Sequence, residues 1–166
     1  MIEFIKTRNV KDPERDASEN AGIDFYIPER DSFTMDELAG FGLNLRITDN
    51  KIKIPPHSDV IIPSGIKSKF PNNIALIANN KSGIATKKKL VYGASVIDSG
   101  YRGEWHFHLI NTSDVPQTIE FGQKIIQFIP HFISTDEISI FTGSEEDFYK
   151  NSQSKRGDGK FGSTGV

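Results

Sequence analysis

Short β-like runs, rich in apolar residues and partly alternating with polar ones, recur along the chain, separated by turn residues. They are IEFIKT (2–7), IDFYI (23–27), DVIIP (59–63), NIALIAN (73–79), SVID (95–98), WHFHLIN (105–111), QTIEF (117–121), QKIIQFI (123–129) and EISIF (137–141). Each predicts a strand. The clearest is WHFHLIN, where Trp105, Phe107 and Leu109 alternate with His106, His108 and Ile110, as in a strand with one buried face. Many short strands, with 14 glycines and 8 prolines punctuating the chain, predict an all-β sandwich or barrel. No internal repeat interrupts that pattern.

Three stretches carry helix signals. Thr34 to Glu37 has the spacing of a capping box, with Gly40 as the stop. Ser82 is placed to cap a turn through Ile84, Ala85 and Lys87, and Ser144 leads an acid-rich turn. The segment 151–165 is polar and rich in glycine, which predicts a flexible arm after a domain of residues 1–150.

At 166 residues the chain suits one domain with a real core, and 36% hydrophobic and 25% charged residues exclude a disordered or membrane-spanning class. No apolar run is long enough to span a bilayer, and no basic-then-apolar leader opens the chain, so a cytoplasmic protein is expected. Zero cysteines exclude disulfides, thiol nucleophiles and cysteine zinc sites. The scattered His57, His106, His108 and His131 lack metal-ligand spacing. A formal net charge of −2 argues against stable nucleic-acid binding, although Lys87, Lys88, Lys89, Lys155, Arg156 and Lys160 cluster enough to meet a small polyanion.

Gly157, Gly159 and Gly162 spell G-x-G-x-x-G, yet too few residues follow for the helix and acidic residue of a dinucleotide fold. Walker A fails too, because Phe161 follows Gly159-Lys160. Four further segments give this loop a context: AGIDF (21–25), NKSGIA (80–85), GASVIDSGYRGEW (93–105) and FGQKIIQF (121–128). With RGDGKFGSTG (156–165) they stand in the order of the five motifs of the trimeric dUTPases, and the chain closely resembles that family. The resemblance implies a distorted β jelly roll, a homotrimer with sites at subunit boundaries, and a C-terminal arm that closes over a neighbour's nucleotide. It also implies Mg²⁺-assisted hydrolysis of dUTP to dUMP and pyrophosphate, which limits uracil in DNA and supplies dUMP for thymidylate synthesis.

Residue by residue, the resemblance assigns Asp98 to orient and deprotonate the attacking water, with Gln127 helping to hold it. Lys81, Ser82 and Gly83 match the phosphate-binding segment, with lysine where the family usually has arginine. Gly93, Ala94, Ser95 and Val96 match the hairpin that pairs with uracil through its backbone, Ser95 standing where many relatives have glycine. Tyr101 matches the ring packed on the deoxyribose, which leaves no space for a 2′-hydroxyl. Arg156, Phe161, Gly162, Ser163 and Thr164 match the closing arm: Arg156 clamps phosphate, Phe161 stacks on the base, and Ser163 and Thr164 reach the γ end. Asp24 matches an aspartate that acts on waters of a phosphate-held Mg²⁺.

Two rivals stand beside this reading. The same fold serves dCTP deaminases, which place a catalytic glutamate on the strand after the I-D-x-G core, where this chain has His108. A nucleotide-dependent protein-binding module with little or no hydrolysis is the other, and the stretch 32–53 reads as an insertion that either meets a partner or lengthens a surface loop.

Overall fold

A computed structural model describes residues 1–42, 46–152 and 154. The described residues form β1 (Glu3–Lys6), β2 (Ile23–Tyr26), β3 (Arg46–Thr48), β4 (Lys51–Ile54), β5 (Asp59–Pro63) and β6 (Ile66–Lys69). These are followed by β7 (Ile74–Asn80), β8 (Leu90–Tyr92), β9 (Val96–Ile97), β10 (His106–Asn111), β11 (Gln117–Glu120) and β12 (Lys124–Phe132). Three short α-helices, α1 (Met35–Ala39), α2 (Ser82–Lys88) and α3 (Glu145–Tyr149), and a 3₁₀ turn at Arg30–Ser32 complete them. Among the described residues no helix is long and apolar enough to cross a membrane.

All strand pairs are antiparallel, in sheets ordered β1-β6, β5-β10-β8, β11-β4-β3 and β2-β12-β7-β9, an all-β arrangement of jelly-roll type. Alternation drives the packing. On β10, Phe107 and Leu109 are buried while His106 is exposed, as the sequence pattern predicts. Trp105 meets Phe128 at 5.0 Å and Phe25 at 5.2 Å between ring centroids, and Phe25 meets Phe128 at 5.2 Å. These rings tie the residue that leads into β10 to the neighbouring strands β2 and β12 of another sheet, each pair adding about 1 kcal/mol beyond its buried area.

The helices follow their caps. Thr34 accepts from the Glu37 amide while the Glu37 side chain accepts from the Thr34 amide, and Gly40 ends α1. Ser144 caps α3 through the Asp147 amide. In contrast, Ser82 does not cap: Lys81 holds the N-cap position and Ser82 is the first helical residue.

Other differences concern strands. Residues 137–141 form no strand, and Ile138 and Ile140 stand exposed; alternation alone does not make a strand where no neighbour supplies ladder hydrogen bonds. Conversely β3, β4, β6 and β8 form where the pattern is short, because each finds a partner. The stretch 32–53 is no surface loop: it carries α1, β3 and most of β4, and buries Leu38, Phe41 and Ile52 in the core. The compact unit spans Met1–Thr135 and a second unit spans Asp136–Val166, so the first ends earlier than the expected residue 150. Within the second unit Phe148 packs on Phe141 and Tyr149 at 5.3 and 4.9 Å.

Candidate functional site

β12 is the spine of the candidate site. A register shift against β2 between Lys124 and Ile126 lets Ile125 and Ile126 both point into the core. Beyond it Gln127 stands opposite Asp24 of β2 on one side and Asn79 of β7 on the other. Its amide nitrogen donates to the Asn80 carbonyl at 2.9 Å. A Cβ at Gly22 would overlap the Gln127 carboxamide, so the glycine of AGIDF makes room for the glutamine of KIIQF.

Asp24 is buried, and both its oxygens are taken. Lys81 Nζ lies 2.5 Å from Oδ1 and Lys124 Nζ 3.1 Å from Oδ2. Lys124 also meets Glu14 at 2.7 Å, and the Tyr26 hydroxyl donates to Glu14. The bond to Lys124, then that from Tyr26, holds the Glu14 carboxyl below its ordinary range. Its bond to Glu14, and then to Asp24, raises the Lys124 amine. The motif-one aspartate is therefore the centre of a salt-bridged cluster.

Lys81 follows β7 and caps α2, where its carbonyl accepts from the Ile84 and Ala85 amides. Ser82 and Gly83 are exposed at that turn, and open space surrounds the position of a Gly83 Cβ. Of the nearby lysines, Lys88 is committed to the Thr118 carbonyl at 2.5 Å.

The hairpin 93–96 joins β8 of one sheet to β9 of another. The Ala78 amide donates to the Ser95 carbonyl at 2.7 Å and the Gly93 amide to the His108 carbonyl at 2.8 Å. His108 also accepts the Ala94 amide on Nδ1 at 3.1 Å and meets Asp59 through Nε2 at 2.9 Å. Both ring nitrogens are thus engaged, so the residue at the deaminase glutamate position is no free proton shuttle. Asp98 follows β9 with its side chain exposed, and its carbonyl accepts the Tyr101 amide in a turn. Tyr101, 43% exposed, folds its ring over Gly103 and donates its hydroxyl to the Glu104 carbonyl at 2.9 Å.

One chain gathers these residues into two groups. Asp24, Lys81 and Gln127 meet around β2, β12 and the end of β7. Asp98 and Tyr101 follow β9, the opposite edge of the same sheet. Three strand spacings, about 14 Å, separate the edges. Arg156, Phe161, Gly162, Ser163 and Thr164 lie outside the described residues. Among the described residues no three acidic or histidine side chains cluster to hold a metal ion, and Asp24 spends its oxygens on lysines. Lys124 escaped the sequence reading; His108 was singled out there only as the residue at the deaminase glutamate position, and its contacts with the hairpin and Asp59 were not foreseen.

The dUTPase family model matches residues 33–165. The chain is 33% identical over 128 residues to the deoxyuridine 5'-triphosphate nucleotidohydrolase of Arabidopsis thaliana, covering 77% of this chain and 71% of the relative. The corresponding Hydrogenobaculum protein is 31% identical over 150 residues, covering 89% and 93%. In fold, the chain resembles a solved structure of the Staphylococcus bacteriophage 80alpha dUTPase with dUPNHPP, with a TM-score of 0.76, 21% identity, and 100% and 99% coverage.

Proposed function

The chain belongs to the dUTPase family, and from that premise we propose that it cleaves dUTP to dUMP and pyrophosphate at sites shared between the protomers of a cytoplasmic homotrimer. The observation that carries the shared site is the split of the two residue groups across one sheet. A phosphate held beside Asp24 and its partner Lys81 in one chain meets the water-orienting Asp98 of another, because within a chain Asp24 lies on the β2 edge and Asp98 follows β9, the opposite edge.

Water attacks the α-phosphorus in line, the bond from that phosphorus to the bridging oxygen breaks, and pyrophosphate leaves with the electron pair. Asp98 aligns the water and accepts its proton; a solvent-exposed carboxylate is a weak base, so alignment supplies most of the effect. Gln127, one N–H fixed on the Asn80 carbonyl, accepts from the water through its carboxamide oxygen and has a second N–H to donate to phosphate. Lys81 supplies positive charge to the phosphates, while Ser82 and Gly83 bring an exposed hydroxyl and backbone amides. Tyr101 packs on the sugar, its ring oriented by the bond to Glu104. The hairpin 93–96 pairs with uracil, and the arm bearing Arg156, Phe161, Gly162, Ser163 and Thr164 closes over the nucleotide.

The family generally uses Mg²⁺. Asp24 is spoken for by two lysines, so the ion would come with the substrate, on its phosphates and water, and would supply positive charge there. Asp24 acts on those waters at most from outside the first coordination layer.

The test is pyrophosphate release from dUTP, dTTP, dCTP and UTP with Mg²⁺, alongside the mass in solution by sedimentation. Turnover of dUTP alone by a species of three chains is expected. A fully active single chain would overturn the shared site, and ammonia released from dCTP would revive the deaminase reading.

A further inference from the structure

We infer that His108 sets the base preference of the enzyme by holding the Ala94 amide away from the nucleotide, with Asp59 fixing the imidazole tautomer that this requires. The inference rests on the reading that the hairpin 93–96 receives the base.

The geometry allows one assignment of protons. A backbone N–H only donates, so the Ala94 amide, 3.1 Å from Nδ1, needs a bare lone pair there. The ring proton of the neutral imidazole then sits on Nε2 and donates to Asp59 Oδ2 at 2.9 Å. The Gly93 amide meets the carbonyl of the same histidine at 2.8 Å. A side chain at Gly93 would overlap the imidazole, and its φ is not positive, so glycine there answers a close approach by His108.

These contacts decide which backbone groups remain for a base. The Gly93 and Ala94 donors are spent on His108, and the Ser95 carbonyl is spent on Ala78. Among the described residues no hydrogen bond reaches the Gly93 and Ala94 carbonyl oxygens. The Ser95 amide likewise has no partner among the described residues, so the hairpin offers acceptors at its first two residues and one donor at its third. Uracil carries an N3–H that an acceptor satisfies; cytosine presents a bare N3 lone pair, which an acceptor repels. If the Ala94 amide were released, its peptide could turn and show cytosine a donor. A residue that touches no nucleotide would in this way govern which base is admitted.

Two conservative replacements separate the contacts. Gln at 108 reaches the Nε2 position and keeps Asp59 but loses the Ala94 acceptor. Asn at 108 places its oxygen near the Nδ1 position and keeps Ala94. Steady-state pyrophosphate release is measured with dUTP and dCTP. His108→Gln is expected to raise KM for dUTP about tenfold, more than it lowers kcat, and to erode the dUTP preference by a similar factor. His108→Asn recovers most of both losses. Should His108→Gln not fold, Asp59→Ala is read instead, and a raised KM with reduced preference is again expected. Wild-type KM and preference in the variant read, or equal losses in His108→Gln and His108→Asn, would overturn the inference. Val96→Trp is the control for the hairpin itself. If it leaves KM for dUTP unchanged, the base does not sit there; if it raises KM while His108→Gln does not, only the inference about His108 fails.

Discussion

Lys81 Nζ and Lys124 Nζ share a single buried carboxylate, that of Asp24, at 2.5 and 3.1 Å. Replacing Asp24 with Asn would leave the part-buried Lys81 without its carboxylate and facing Lys124, which keeps Glu14 and Asp16. Removing Lys81 would leave Lys124 still paired, so the two losses are unequal. Asp24→Asn is expected to cost about 3 kcal/mol of unfolding free energy, and Lys81→Met clearly less. Urea unfolding at neutral pH compares them, and equal costs would mean that Asp24 is not the shared centre.

Asp98 lies at the other extreme: its side chain is exposed and carries no part of the core. An isosteric Asp98→Asn should therefore leave the melting temperature within experimental error while lowering kcat by about 10²–10⁴. A loss confined to KM would show that the residue binds substrate without directing the water.

What could be read in advance depended on whether a residue's role is local or supplied by a partner. β10 was legible because Phe107 and Leu109 alternate with polar neighbours over a full strand. RIT, KIKI, IKSK and LVY were not, since strands this short are decided by the chain they pair with. Residues 137–141 have the alternation and form no strand. The site shows the same divide. Motif order located Asp24 and Gln127, but nothing local told that Lys124 would neutralise the first or that Gly22 would clear space for the second. The partners lie far along the chain, and only the register of β2, β12 and β7 joins them.

Gly103 offers a test of sugar selectivity without touching Tyr101. A Cβ there would overlap the Tyr101 hydroxyl end, so the ring must swing and its bond to the Glu104 carbonyl must break. Gly103→Ala should narrow the preference for dUTP over UTP by about tenfold, a smaller effect than Tyr101→Ala. Competition assays with both nucleotides read this, and an unchanged preference would remove Tyr101 as the sugar gate.

The closing arm makes a separable prediction, because residues 154–166 fall outside the compact unit Met1–Thr135. Deleting them should leave the unfolding midpoint nearly unchanged and reduce kcat/KM by about 10²-fold or more, the effect of losing a lid that excludes water and orients phosphate. Undiminished kcat/KM in the truncated protein would dismiss the arm from catalysis.

Acid stability is set in part by Arg8, whose guanidinium meets Glu37 and Glu104 at 2.7 Å each and also donates to the Ser32 carbonyl. It ties the N-terminal segment to α1 and to the turn before Trp105. The Arg8 bond, then the Thr34 amide, pulls the Glu37 carboxyl from the ordinary 4.5 down to about 2. A group whose value is lower in the folded state contributes fully above its unfolded value and loses that contribution as pH falls through the folded one. The Glu37 pair thus stabilises fully above about pH 4.5 and weakens steadily toward pH 2. Glu37→Gln keeps an acceptor for the Thr34 amide but loses the charge, so its unfolding midpoint should lie below wild type at neutral pH. The two midpoints should converge between pH 4.5 and pH 2. Urea titrations across that range measure the gap, and a gap that stays constant with pH would show that Arg8 gains nothing from the ionised carboxylate.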